Sequence, residues 1–358
     1  MRVCILGSGL SALTLAKALV NQNIYVDMFV KKKSNSINSS RTLGISKSNV
    51  EFYNKNIINI KNITWKIKKI EIFTDNLKDE KLINFGDSNN EIFSIVKNYN
   101  LIKILEKNLH RSKYFSKISS FKINSFLNEY NLVINTDFFN EITKKYFSKK
   151  LIKKYNSYAY TTILEHEKDN NNIATQIFTQ KGPIAFLPIS KNETSIVFSY
   201  NSLNNQSDKN IKNLIRQYNF RYKIRKIKKI QSFELNSLNL RSYYKGNILA
   251  FGDLLHRIHP LAGQGFNMTL RDIKIFLSII KEKQNLGLPI DSSVNSEFEK
   301  RSKNKNFIFS NGIDLIYEFF NFERKIKNNS LSKYVKIFAN NSSVNKILTK
   351  IADKGLLI

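Results

Sequence analysis

The sequence predicts an α/β fold: a Rossmann-like nucleotide-binding domain, an inserted β-sheet and a helical C-terminus. Three observations predict it. A glycine-rich turn stands between an apolar strand and an apolar-striped helix at the N-terminus. A later strand, with Gly252-Asp253 just past its end, feeds another glycine-rich loop and another helix. Strand-like stretches fill much of the chain between them, and the last residues have helical spacing.

The first element is RVCILGSGLSALTLAKALV, residues 2 to 20. Val3 to Leu6 is a short apolar strand, Gly7-Ser8-Gly9 a tight turn, and Leu10 to Val20 a helix. Ile24 to Val30 then alternates as a second strand. This is the start of a βαβ unit with G-x-G-x-x-A at its first turn. Gly7 permits the turn, Gly9 lets backbone approach a pyrophosphate, and Ala12 allows close helix–strand packing. Ser8, Leu10 and Ser11 complete the segment, whose helix N-terminus offers N–H groups and a positive dipole end. Arg2, the apolar run and Ala16-Lys17-Ala18 also mimic a signal peptide with its cleavage site, but the strand–turn–helix–strand order explains the same residues better. An acidic residue should end the second strand and hold a ribose. Val30 stands there, followed by Lys31, Lys32 and Lys33, and Asp27 has the opposite strand parity. The ribose contact is therefore either lost or made by other groups.

The second element is NILAFGDLLHRIHPLAGQGFNMTLRDIKIFLSII, residues 247 to 280. Ile248 to Phe251 is a strand, and Gly252-Asp253 lies just past its end, where ligands collect in open α/β sheets. Pro260 to Gly265 is an irregular loop, and Phe266 to Ile280 has helical spacing. A glycine-rich loop feeding a helix N-terminus stabilises negative charge. His256 and His259 are three apart, but no Asp, Glu or Cys follows at a metal-ligand spacing, so no metal site is expected.

Bulk composition narrows the class. The 358 residues hold one cysteine, Cys4, which excludes an intramolecular disulfide framework and a cysteine zinc site. There are 58 Lys and Arg against 28 Asp and Glu, a net charge of +30. That charge fits either compositional drift, with lysines spread along the whole chain, or an anionic membrane surface as partner. No nucleic-acid-binding signature accompanies it, and no nucleic acid is expected. No apolar run reaches the ~18 residues that a spanning helix needs.

Gly252-Asp253, Pro260, Gly263-Gln264-Gly265, Asn267 and Asp272 together resemble the second flavin motif of the class A FAD-dependent aromatic monooxygenases. Leu254-Leu255 replace the usual small pair. The resemblance implies that Asp253 hydrogen-bonds the ribityl chain of FAD. It implies too that backbone N–H groups around Gly263, Gln264, Gly265 and Phe266 face the pyrimidine end of the isoalloxazine and stabilise the reduced, anionic flavin. His256 sits at a structural histidine position. Arg41, in SSRTLGIS, resembles an element near the flavin, and Asn98 follows a strand from which a polar side chain reaches the cofactor. QIFTQKGPIAFLPIS, residues 176 to 190, resembles the polyprenyl-phenol hydroxylases of ubiquinone biosynthesis, and FEKRSKNKN, 298 to 306, also fits. The resemblance covers nearly the full chain. One departure is Asn135-Thr136-Asp137-Phe138, where Phe138 replaces a glycine against the phosphate side.

The implied activity is FAD-dependent hydroxylation of the aromatic ring of a polyprenyl phenol. NAD(P)H or another donor would reduce FAD, O2 would add at flavin C4a, and the hydroperoxide would deliver the hydroxyl. No catalytic side chain is required beyond the flavin-facing loop of Pro260, Gly263, Gln264 and Gly265. The strands near 155 to 200 are expected to form the substrate sheet, with Phe186, Pro188 and Phe198 as walls or as ordinary core. Glu165, His166 and Glu167 precede a polar turn and read as a solvated strand end. The expected organisation is a discontinuous FAD-binding domain (1–61, 91–150 and 240–290), a substrate-binding sheet (62–90 and 151–239) and a helical region (291–358). The last segment, LSKYVKIFANNSSVNKILTKIADKGLLI, fits an interfacial helix as well as a docked one. The expected location is cytoplasmic, with a peripheral site on the inner membrane face. Two other readings stand beside this one: a hydroxylase of another aromatic substrate, and a non-catalytic subunit that binds other ubiquinone-biosynthesis proteins.

Overall fold

The computed structural model describes residues 1–30, 40–77, 80–86, 90–118, 129–326 and 330–354. Lys31, Lys32 and Lys33 lie outside them. The apolar run at the N-terminus forms β1 (Arg2–Leu6), the centre of a six-stranded sheet. Its neighbours are both parallel: β2 (Tyr25–Phe29) on one side and β9 (Leu132–Asn135) on the other. The sheet extends through β8 (Phe115–Ile118) beside β2, and through β17 (Ile248–Ala250) and β16 (Tyr244–Lys245) beside β9. A strand flanked in this way is buried on both faces, which accounts for the continuous apolar run.

α1 (Leu10–Val20) packs its alanines and leucines on this sheet, and ends before Asn23, which takes φ 57. α2 (Lys47–Asn56), α3 (Asn98–Leu109) and α4 (Glu141–Tyr146) add to the same domain. A three-stranded antiparallel sheet joins it: β3 (Thr42–Ser46), β7 (Phe93–Lys97) and β4 (Thr64–Ile67). β4 therefore pairs within this small sheet rather than the large one.

The large sheet has the order β18-β15-β10-β13-β12-β11-β5-β6, with β14 also paired to β10. Its long strand is β10 (Lys150–His166), which bends at Asn156 (φ 51) where its pairing with β15 (Gln231–Leu240) changes register. β11 (Ile173–Thr179), β12 (Gly182–Pro188) and β13 (Glu193–Tyr200) form its middle, with β14 (Ile224–Ile227) and β18 (His256–Arg257) beyond. β5 (Lys69–Thr74) and β6 (Lys81–Phe85) complete it.

The two faces of this sheet carry different layers. α5 (Asp208–Gln217), capped by Ser207, buries Ile211 and Ile215 on one face. Phe186 and Phe198 belong to that same core, with Ile184, Ile196, Tyr200 and Tyr222. Pro188 shares their strand parity. Phe186 and Phe198 are thus ordinary core beneath α5, one of the two readings that the sequence allows. The opposite face packs Ala159, Phe178 and Leu235 against Leu261, Met268 and the aromatic side of the C-terminal helices. Those helices are α6 (Gln264–Asn285), α7 (Ser292–Ile326), α8 (Ser330–Asn340) and α9 (Ser342–Lys354).

Cys4 lies in the central strand and is 1% exposed. Burial, with a smaller contribution from Asp27, pushes its thiol up to about 12. At pH 8 the native protein is expected to resist an aromatic disulfide reagent, and the urea-unfolded chain to react fully. Rapid labelling of the native protein would show that the sheet opens locally.

Candidate cofactor site

The site is built where the ends of β1, β9 and β17 meet the first turn of α1. Thr136 closes that edge: its N–H and its hydroxyl both donate to the Leu6 carbonyl, each at 2.9 Å. The Phe251 N–H donates to the Asn135 carbonyl at 2.9 Å. Gly7 adopts φ +115, and a Cβ there would stand 2.3 Å from Thr136 Oγ1. Gly252 adopts φ +65, and its Cβ would stand 2.7 Å from that of Ser11. Both glycines are therefore required by the fold itself. Gly9 is different. Its backbone is extended (φ −72, ψ 174), and a Cβ would meet nothing within 4 Å. It heads α1 with no side-chain cap, so Leu10, Ser11 and Ala12 begin a helix whose amides front open space beside the exposed Ser8.

The second helix start repeats the arrangement. Gly263 heads α6 in the left-handed region (φ 62, ψ 26), again with no side-chain cap. It lies over β3: a Cβ on Gly263 would be 3.5 Å from the Gly44 Cα, and a Cβ on Gly44 would strike the Phe93 ring at 2.0 Å. A Cβ on Gly265 would meet nothing within 4 Å.

Asn267 holds this loop. Its Oδ1 accepts from the Ser46 N–H (3.0 Å) and from Asn49 Nδ2 (2.9 Å). Its Nδ2 donates to the carbonyls of Gly44 (3.0 Å) and Gly263 (3.2 Å). Two acceptor sites and two donors are thus all used within the protein, so the Asn267 side chain has no capacity left for a ligand. Phe266 is buried in the core, and Gln264 accepts from Arg271 Nη2 at 3.2 Å. The side chains of Gln264, Phe266 and Asn267 at this helix start are all buried within the protein. Pro260 is half-buried at the head of the loop. Arg271 lies over the Phe309 ring at 4.6 Å, and burial lowers its guanidinium to about 10, so it stays charged at neutral pH.

Asp253 is exposed at the end of β17, while Leu254 and Leu255 are fully buried, which explains large residues in place of a small pair. Arg41 and Asn98 are brought together: the Asn98 N–H donates to the Arg41 carbonyl at 3.0 Å. The Asp27 carboxylate is held by Arg2 Nε (2.6 Å) and by the Tyr130 hydroxyl (2.8 Å). Val30, just past the end of β2, has no carboxylate to offer. Phe138 is turned toward two cations, Lys150 at 4.0 Å and Arg257 at 5.3 Å from its ring centre. The three atoms nearest a Cβ on Gly7 come from Thr136 and Asp137, none from Phe138.

The histidines are structural. His256 Nε2 and Asp272 Oδ2 are 2.5 Å apart and buried, and Asn306 Nδ2 donates to the other carboxylate oxygen at 2.8 Å. His259 stacks on Tyr317 with ring centres 4.4 Å apart. His166 packs on Tyr222 and reaches Thr194 at 3.0 Å, and Glu165 pairs with Lys228. No group of three metal-ligating side chains occurs among the described residues.

Sequence reasoning missed Thr42, Gly44, Asn49 and Ser195. The Thr42 hydroxyl donates to Ser195 Oγ at 2.7 Å, which sets that face of β13 toward the small sheet. The only sequence signal was Gly44 in an otherwise apolar strand.

Asn267→Ala removes four buried hydrogen bonds and is expected to lower unfolding stability by about 3 kcal/mol in urea denaturation. Asn267→Asp should do no better, because a carboxylate cannot donate to two carbonyls. A loss within experimental error for both would sink the clamp assignment.

The family described as FAD binding domain matches residues 159–282. The 3-demethoxyubiquinol 3-hydroxylase of Escherichia coli (strain K12) is 30% identical over 160 residues, 42% of this chain and 40% of that protein. Ubiquinone hydroxylase UbiL of Rhodospirillum rubrum is 27% identical over 162 residues, 43% of this chain and 38% of that protein. The chain thus matches about two fifths of the length of these relatives. The crystal structure of p-nitrophenol 4-monooxygenase PnpA from Pseudomonas putida DLL-E4 superposes with a TM-score of 0.79, covering 99% of this chain and 98% of that one at 10% identity. The chain has the fold of the class A FAD-dependent monooxygenases and is similar in sequence to their ubiquinone-pathway hydroxylases.

Proposed function

We propose that this chain is an FAD-dependent monooxygenase that hydroxylates the aromatic ring of a polyprenyl phenol in ubiquinone biosynthesis. One observation carries the reading: two helices, headed by Gly9 and Gly263, start without side-chain caps and present backbone amides over space that a Cβ at Gly9 or Gly265 would enter. These residues fit FAD. The amides of Leu10, Ser11 and Ala12 would hold the pyrophosphate. Asp253 would accept from ribityl hydroxyls, and the amides of Gln264 and Gly265 would balance negative charge at the pyrimidine end. Arg41 and Asn98 frame the same side. Bound FAD supplies electron storage and activation of O2, with NAD(P)H or another donor as reductant. The protein orients the ring and excludes water from it. The names of the relatives support the substrate class.

No helix among the described residues is long and apolar enough to cross a membrane. A prenylated phenol is dissolved in lipid, so the enzyme would work from the cytoplasm at an anionic membrane surface, beside other ubiquinone-biosynthesis proteins. The exposed face of α8 and α9 suits that surface. It carries Tyr334, Ile337, Ile347 and Leu348 among Lys333, Lys346 and Lys350, and the chain is strongly basic.

The purified protein is expected to show flavin absorption near 450 nm, and to convert a prenylated phenol to a product one oxygen atom heavier. Gly9→Val should fold as the parent does and bind FAD at least ~10-fold more weakly, because its side chain enters only the ligand space. Gly7→Ala should lose about 2 kcal/mol of stability. A colourless protein that takes up no added FAD would overturn the reading.

A further inference from the structure

We propose that α9 is a latch on the loop at Gly263, and that Asp353 is the positioning residue through which it acts; the role toward flavin rests on the reading given above. α2 begins at Ser46, an N-cap residue whose hydroxyl would ordinarily accept from the first-turn amides of its own helix. It does not do so here. The Ser46 hydroxyl instead donates to the Asp353 carbonyl at 2.8 Å. The capping role passes to Asp353, whose carboxylate accepts from the Ser48 N–H at 2.8 Å, while the Ser48 hydroxyl donates to the same Asp353 carbonyl at 3.0 Å. A carboxylate at a helix N-terminus is favoured by the dipole as well as by the hydrogen bond. Asp353 also lies within the field of Arg271 and Lys274 on α6.

The path continues inward without a gap. The Ser46 N–H donates to Asn267 Oδ1, and Asn267 Nδ2 donates to the Gly263 carbonyl. Gly263 is the residue whose left-handed backbone aims the amides of Gln264 and Gly265. Ser46 is the junction: it is 1% exposed and bonds outward to α9 and inward to Asn267. Seating of α9 therefore fixes the end of β3, and the end of β3 fixes the loop. A helix from the far end of the sequence completes the site without touching it.

The test is amide hydrogen exchange on the full chain, first without FAD and then with it. Asp353→Ala is expected to raise exchange of the amides in 44–49 and 263–268 by about fivefold, the size of a lost cap. Asp353→Asn keeps the oxygen that accepts from Ser48 and should restore most of the protection. Ser343→Ala, in the exposed first turn of α9, should leave both segments as they are. With FAD, Asp353→Ala should weaken binding by a similar factor and shift the flavin potential to more negative values, and Asp353→Asn should recover both. If Asp353→Ala does not fold, Ser48→Ala carries the same expectation at smaller amplitude. Faster exchange confined to α9, with 263–268 unchanged, would overturn the latch. Failure of every form, the parent included, to take up FAD would overturn the cofactor reading instead, since the exchange data need no cofactor.

Discussion

The arrangement rests on how closely three strand ends approach the first turn of α1. Thr136 and Ser11 occupy the places where side chains on residues 7 and 252 would stand. With glycine at both, the ends of β1, β9 and β17 come level, and the helix start is left facing outward over their edge. A Cβ at 252 would push Ser11 and its helix away from the sheet, and a Cβ at 7 would push Thr136 and the end of β9 away from β1. The site is thus a property of backbone proximity, and the side chains around it serve mainly to maintain that proximity.

The glycines at 7, 9, 252 and 265 divide by what excludes larger residues. At 7 and 252 the protein excludes them. At 9 and 265 no protein atom stands within 4 Å of where a Cβ would be, so the protein itself leaves room there. Asn267 extends the same logic to the second turn. It holds Gly44 against Gly263 by hydrogen bonds rather than by apolar packing, so the loop is fixed in direction as well as in distance.

The βαβ start and the Gly252 to Asn267 segment were legible in the sequence because backbone geometry restricts residue type there. A turn with positive φ needs glycine, and a strand buried on both faces needs an apolar run. The faces of the large sheet were not legible in the same way. Phe186 and Phe198 lie on different strands, and no local pattern says that they share a face or that α5 covers it. That depends on the crossing of the connection between β13 and β14, which no local pattern records. Asp27 presents a similar limit: its parity excluded a ribose contact, but its tie to Arg2 and Tyr130 spans most of the domain. Asp353 was least visible of all, because its partners at Ser46 and Ser48 lie some 300 residues away.

The six-stranded sheet draws its strands from distant parts of the sequence, which bears on how the chain comes to be folded. β1 leaves the ribosome first, yet its inner neighbour β9 follows about 125 residues later, and β17 more than a hundred after that. At common elongation rates the apolar strand Val3–Leu6 waits on the order of ten seconds for its second edge to be covered. The helix that Gly263 heads emerges later still. During that interval the nascent chain carries an open, parallel-pairing edge of low charge, the kind of surface that chaperones hold and that aggregates form from. The two glycine-headed helix starts exist together only once residue 263 and the helix after it have been made, so contacts between them cannot guide the earlier steps of folding.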